Sequence, residues 1–107
     1  MPLKELTPDS LEELRSSKAA VVEAWAVWCQ PCKLISPIVE ELAKDYSDRG
    51  VVFYRFNAED YPDLLSELGI LSIPTVLFMK DGREVARTVG LASKKALEGY
   101  LSKILEE

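Results

Sequence analysis

Ala19-Ala20-Val21-Val22-Glu23-Ala24-Trp25-Ala26-Val27-Trp28-Cys29-Gln30-Pro31-Cys32-Lys33 is the stretch that decides the fold of this chain. From Ala19 to Trp28 every side chain but Glu23 is apolar and there is no alternation of period two, the pattern of a strand covered on both faces in a parallel sheet. Beyond Cys29, the residues Ile35, Ile38, Val39, Leu42 and Tyr46 recur at helical spacing and Gly50 follows as a stop. A buried strand therefore runs into a long amphipathic helix, with Cys29 at the helix N-terminus and Cys32 in its first turn. Pro37 lies inside that helix and lacks the amide that would bond the carbonyl of Lys33, so a bend is expected there.

Upstream, Thr7-Pro8 opens a first helix to about Ser17, with Asp9 and Glu12 giving it capping-box character and Leu11 and Leu14 on one face. Downstream, Val51 to Phe56 reads as a second buried strand and Tyr61 to Leu68 as a short helix closed by Gly69. Thr75 to Met79 is a third strand, and Asp81-Gly82 turns it tightly into Arg83 to Val89, so the last two strands are expected to be antiparallel. The final helix opens near Ser93 and buries Leu97, Tyr100, Leu101, Ile104 and Leu105, with Gly99 costing about 1 kcal/mol relative to alanine. This order predicts an α/β fold, a mixed sheet with helices on both faces.

The chain has 107 residues, enough for one compact domain spanning 1–107. Its longest apolar stretches are too short to cross a bilayer. Met1 to Leu6 carries an acid and no long apolar region, so no secretory signal is read and a cytoplasmic location is expected. Thirteen Lys and Arg against eighteen Asp and Glu give a net charge of −5, which would repel a phosphate backbone and argues against nucleic acid as a partner. With no histidine, a Ser-His-Asp triad, a Cys-His nucleophile and any imidazole zinc site are excluded. Two cysteines alone cannot make a four-thiolate zinc site, and in a reducing cytosol a passive staple is disfavoured.

Residues three apart on a helix are neighbours, near enough for Cys29 and Cys32 to close a disulfide and reopen it with little backbone movement. Unpaired amides and the helix dipole favour negative charge at Cys29 by up to about 2 kcal/mol in a partly buried setting, which raises its thiolate fraction at neutral pH by roughly tenfold or more. Cys32, deeper in the helix, is expected to be more buried and to stay protonated until needed. A two-step exchange follows: the Cys29 thiolate attacks a substrate disulfide, and Cys32 then resolves the mixed disulfide to leave Cys29–Cys32 oxidised. A static disulfide and a zinc half-site shared across a dimer are the weaker alternatives.

With Ile73-Pro74-Thr75 and Val89-Gly90 added, the stretch from Glu23 to Lys33 closely resembles the thioredoxin family over the whole chain. The resemblance implies a four- to five-stranded mixed sheet flanked by four helices. It also implies a general protein-disulfide reductase that binds no cofactor itself and receives electrons from NADPH through a flavin-containing thioredoxin reductase. Disulfide-containing client proteins and that reductase are then the partners, and a monomer is expected. Pro74 matches the family's cis-proline, although X-Pro bonds in general are cis only about one time in twenty. Trp28, Ile73, Pro74 and Gly90 match its substrate-binding groove, with Gln30 and Pro31 beside the thiols.

Three positions, Glu23, Arg55 and Gln30, depart from this likeness, whereas Lys33 follows it. Glu23 stands where the family usually carries a buried Asp; burial in an apolar strand would raise its pKa and suit it to take a proton from Cys32, unless it is an edge acid turned to solvent. Arg55 occupies the place of a family lysine. It either pairs with Glu23 through two donors, holding the carboxylate ionised, or snorkels to the surface. Lys33 adds positive potential near the thiols or is a solvated helix-face charge. Gln30 replaces the commonest glycine, adding bulk that shifts the reduction potential in either direction. Beside the general reductase, two other functions fit: a dedicated electron donor to one peroxidase or reductase, and a binding module that clamps one partner.

Overall fold

The computed structural model describes residues 3–105. β2 (Ala19–Trp25) lies at the centre of a five-stranded sheet in the order β1-β3-β2-β4-β5, where β1 is Leu3–Glu5, β3 Val52–Asn57, β4 Thr75–Lys80 and β5 Arg83–Val89. β1, β3 and β2 run parallel, and β4 and β5 are antiparallel to their neighbours. The sheet is mixed as expected.

Alternating side chains of the central strands supply two separate cores, because successive residues of a strand face opposite ways. Val21, Phe53, Val76 and Phe78 pack under Ile35, Val39 and Leu42 of α2 (Gln30–Tyr46) and Leu97, Leu101 and Ile104 of α4 (Lys94–Leu105). Val22, Tyr54, Phe56 and Leu77 meet Leu14 of α1 (Leu11–Ser16) and Leu64 of α3 (Pro62–Glu67) on the other face. Helices therefore cover both sides. α2 continues through Pro37 as one element.

Several boundaries differ from the sequence reading for local reasons. β1 was not expected; its three residues carry a single inward apolar side chain, Leu3, too little for a periodic signal. β2 stops at Trp25, and the apolar residues Ala26 to Trp28 form the turn into α2 rather than more strand. The first helix opens as a 3-10 turn over Pro8–Ser10, and the Thr7 amide donates to the Ser10 hydroxyl at 2.8 Å, so Ser10 rather than Glu12 closes the cap. At the far end, the Ser93 hydroxyl accepts from the Ala96 amide at 3.1 Å and starts α4 where expected.

Asp81 and Gly82 both adopt positive φ, 52° and 79°, as a two-residue hairpin between twisted strands requires. Glycine at 82 has a second cause: a Cβ there would collide with the Arg15 carbonyl at the end of α1. Arg87 secures the opposite end of the hairpin. Its Nε and Nη2 donate to the two Glu84 carboxylate oxygens at 2.6 and 2.7 Å, and Nη1 and Nη2 donate to the carbonyls of Gly69 and Leu68 at 3.0 Å each. β5 thereby holds the carbonyl end of α3, from which the chain runs directly into Ile73 and Pro74.

Candidate functional site

Cys29 is the N-cap of α2, with extended backbone, and its Sγ accepts a hydrogen bond from the Cys32 amide at 3.2 Å. The two sulfurs form a disulfide, with Cα atoms 5.3 Å apart. Residue exposures are 3% for Cys29 and 2% for Cys32, so burial does not separate them as the sequence suggested. Their places on the helix do: the first unpaired amides of α2 point at Cys29.

The Ile73–Pro74 bond is cis. Ile73 packs against Ala26, Cys29 and Cys32, and the Pro74 carbonyl accepts from the amide of Gly90 at 2.8 Å. Gly90 has φ of 87°, which favours glycine where β5 passes the proline. Three chain segments distant in sequence thus meet around the disulfide. Gln30 and Pro31 are exposed beside it.

Trp28 is 68% exposed, and with Leu65, Ile70, Leu71 and Ile73 it lines an open groove of about 400 Å³. On the other side, Gln30, Pro31, Lys33, Leu34 and Leu91 line a second apolar depression of about 320 Å³. Neighbours of the disulfide line both surfaces, Trp28 and Ile73 the first and Gln30 and Pro31 the second. Leu34, Leu71 and Leu91 were not singled out in the sequence; their exposure is a tertiary property that composition does not carry.

Glu23 is fully buried, 0% exposed, which overturns the reading of it as an edge acid. Its face of β2 turns toward α2, where the Ser36 hydroxyl donates to Oε2. Burial pushes its carboxyl pKa above the ordinary value; the Ser36 hydrogen bond and the charge of Arg55 oppose this, and the Glu40 carboxylate adds to it. Arg55 faces Glu23 directly across the β2–β3 register, but its Nε stays 3.9 Å from Oε1, too long for a hydrogen bond. Of the two readings of Arg55, the two-donor pair is not formed, and only this long ion contact joins it to Glu23. Arg55 instead donates from Nη1 to Glu40 at 3.3 Å, and its guanidinium lies over the Trp25 ring, 5.0 Å from the centroid. Lys33 is exposed on α2. The contact sequence reasoning missed is Ser36, whose only signal was its position four residues after Cys32 on the inward edge of α2.

Among the described residues no cluster of His, Cys, Asp or Glu could hold a metal ion, and no helix is long and apolar enough to cross a membrane. The sequence model of the Thioredoxin family matches residues 3–103. The chain is 43% identical to a thioredoxin of Acidithiobacillus ferridurans, the match covering 90% of each. It is 42% identical to thioredoxin 1 of Synechococcus elongatus, over 88% of this chain and 87% of that one. Its fold superposes on the crystal structure of a Malassezia sympodialis thioredoxin with a TM-score of 0.86 at 26% identity, covering 97% of this chain and 91% of the other. By sequence and by fold alike, this chain belongs to the thioredoxin family, and its Cys29–Cys32 disulfide makes it a thiol–disulfide oxidoreductase of the protein-disulfide-reductase type.

Proposed function

We propose that Cys29 is the nucleophile and Cys32 the resolving thiol of a general reductase for client proteins. In the reduced protein the Cys29 thiolate attacks one sulfur of a client disulfide, and the other client sulfur leaves as a thiolate. Cys32 then gives up its proton and attacks Cys29, breaking the mixed disulfide, so two electrons pass to the client and the Cys29–Cys32 bond forms. The observation that carries these roles is the Cys32 amide directed at the Cys29 sulfur on the helix N-cap, a donor that favours a thiolate there.

Glu23 accepts the proton of Cys32; its burial and raised pKa support that role, since a base must be poised near the working pH. Arg55 moderates this carboxyl through its charge. Trp28, Gln30, Pro31, Ile73, Pro74 and Gly90 form the surface on which an extended client segment lies, with the apolar grooves beside Trp28 and Leu91 receiving its side chains. The chain acts as one domain and as a monomer in the cytoplasm, and NADPH re-reduces it through a flavin-containing thioredoxin reductase.

Cys32→Ser tests the assignment. The variant is expected to accumulate client proteins as mixed disulfides on Cys29, released by a chemical reductant. Retention of one partner by a variant lacking both cysteines, with no covalent capture, would instead identify a binding module. Comparable rates on several unrelated protein disulfides are expected; activity confined to one peroxidase or reductase would indicate a dedicated donor.

A further inference from the structure

Beside the disulfide, Trp25, Cys32, Lys33, Ser36 and Arg55 help line a cleft of about 250 Å³. Glu23 lies behind it with no exposed surface. Of the residues lining the cleft, Ser36 and Arg55 are the ones with polar contacts to the Glu23 carboxyl, and Arg55 is not within hydrogen-bond distance of it. Ser36 is one helical turn after Cys32, so both side chains lie on the same face of α2.

We infer that Ser36 is a positioning residue for resolution: its hydroxyl clamps one oxygen of the Glu23 carboxyl to α2 and leaves the other as the acceptor for the proton of Cys32. The longer glutamate arm reaches across from β2 to this hydroxyl, so its extra methylene becomes fixed reach instead of freedom. Oε1 has no hydrogen-bond partner in the structure, whereas Oε2 is occupied by Ser36. A proton arriving from Cys32 therefore adds to Oε1, while the Cys32 sulfur bonds Cys29 and the client sulfur leaves. The charged groups around the pair are Arg55 on β3 and Glu40 on α2, with Lys33 at the cleft rim; β4 places the apolar Val76 opposite Glu23.

This inference rests on Glu23 as the proton acceptor, and the test separates the two. A mixed disulfide is prepared between Cys29 and a chromogenic aromatic thiol, and release of that thiol is followed from pH 5 to pH 9. A hydroxyl donating to a carboxylate favours its charged form, so Ser36→Ala is expected to move the acid limb of the profile up by about one pH unit. At a pH on that limb, release should then slow by about tenfold. Ser36→Thr, which keeps the hydroxyl, should restore the limb, and Ser36→Ala should add less than about twofold in a Glu23→Gln background. Alanine is the strongest helix former, and an unchanged urea midpoint will show that the helix is intact. If Glu23→Gln slows release but Ser36→Ala leaves the limb in place, the role of Ser36 is overturned alone. If Glu23→Gln releases the thiol at the native rate throughout, the proton-acceptor reading and the role of Ser36 fall together.

Discussion

Two buried ionisable side chains sit on adjacent central strands and are treated in opposite ways. Tyr54 on β3 fills the core beneath α1 and α3, and its hydroxyl reaches Glu13 of α1 at 2.7 Å. Burial first, and then the bond to Glu13, push its pKa up to about 12, so it stays protonated at every ordinary pH. Glu23 on β2 faces the other core, with one oxygen held by Ser36 and the other left without a hydrogen bond 3.9 Å from Arg55. A satisfied hydroxyl ties two elements together; a carboxyl satisfied at one oxygen retains the capacity to change its protonation state. The side chain near the disulfide is the one left half-satisfied.

The sharpest way to break this contrast is kinetic. Glu23→Gln is expected to slow resolution of a Cys29 mixed disulfide by about 100-fold, the lower range of general acid–base catalysis, in stopped-flow release assays at neutral pH. Tyr54→Phe should leave that rate unchanged. Equal slowing in both variants would erase the distinction.

Stability against pH sharpens the same contrast. The Glu23 carboxyl pKa is raised, so its contribution to folding is fully present below its unfolded value of about 4.5 and is lost as the pH rises through its folded value. Urea midpoints of Glu23→Gln should therefore gain on the native chain between pH 4 and pH 8; parallel curves would contradict the buried-carboxyl account. The raised phenol of Tyr54 contributes below pH 10, and that contribution is lost as the pH rises through about 12. Tyr54→Phe should cost about 1 kcal/mol at neutral pH, the usual worth of a hydrogen bond. The smallest effect is expected for Glu40→Gln. Removing its charge takes away a repulsion that raises the Glu23 pKa and frees Arg55 to approach, so the acid limb of resolution should move slightly down in pH.

The central strand, the cysteine turn and the hairpin were legible because each rests on local chemistry: an apolar run interrupted only by Glu23, two thiols at helical spacing, and a two-residue turn needing positive φ. β1 was illegible because its pairing with β3 is supplied by the partner strand and not by its own pattern. Ala26 to Trp28 misled because apolar composition does not distinguish a buried strand from an exposed contact surface, and Trp28 belongs to the latter. The cis bond at Pro74 came from likeness and not from propensity. The partners of Glu23 were the least visible part. Arg55 is drawn toward Glu40 and Trp25, and Ser36 reaches the carboxyl only because β2 packs beneath α2. Arg87 was invisible for the same reason, since its carbonyl partners lie eighteen and nineteen residues away.

Reactivity of the first cysteine at the start of α2 is what every step depends on. Alkylation of Cys29 in the reduced protein, followed as a function of pH, measures it directly. The midpoint is expected well below the value of about 8.5 that an unstructured thiol shows. A midpoint at that value would mean that the helix end and the Cys32 amide do not activate the sulfur, and would contradict the account.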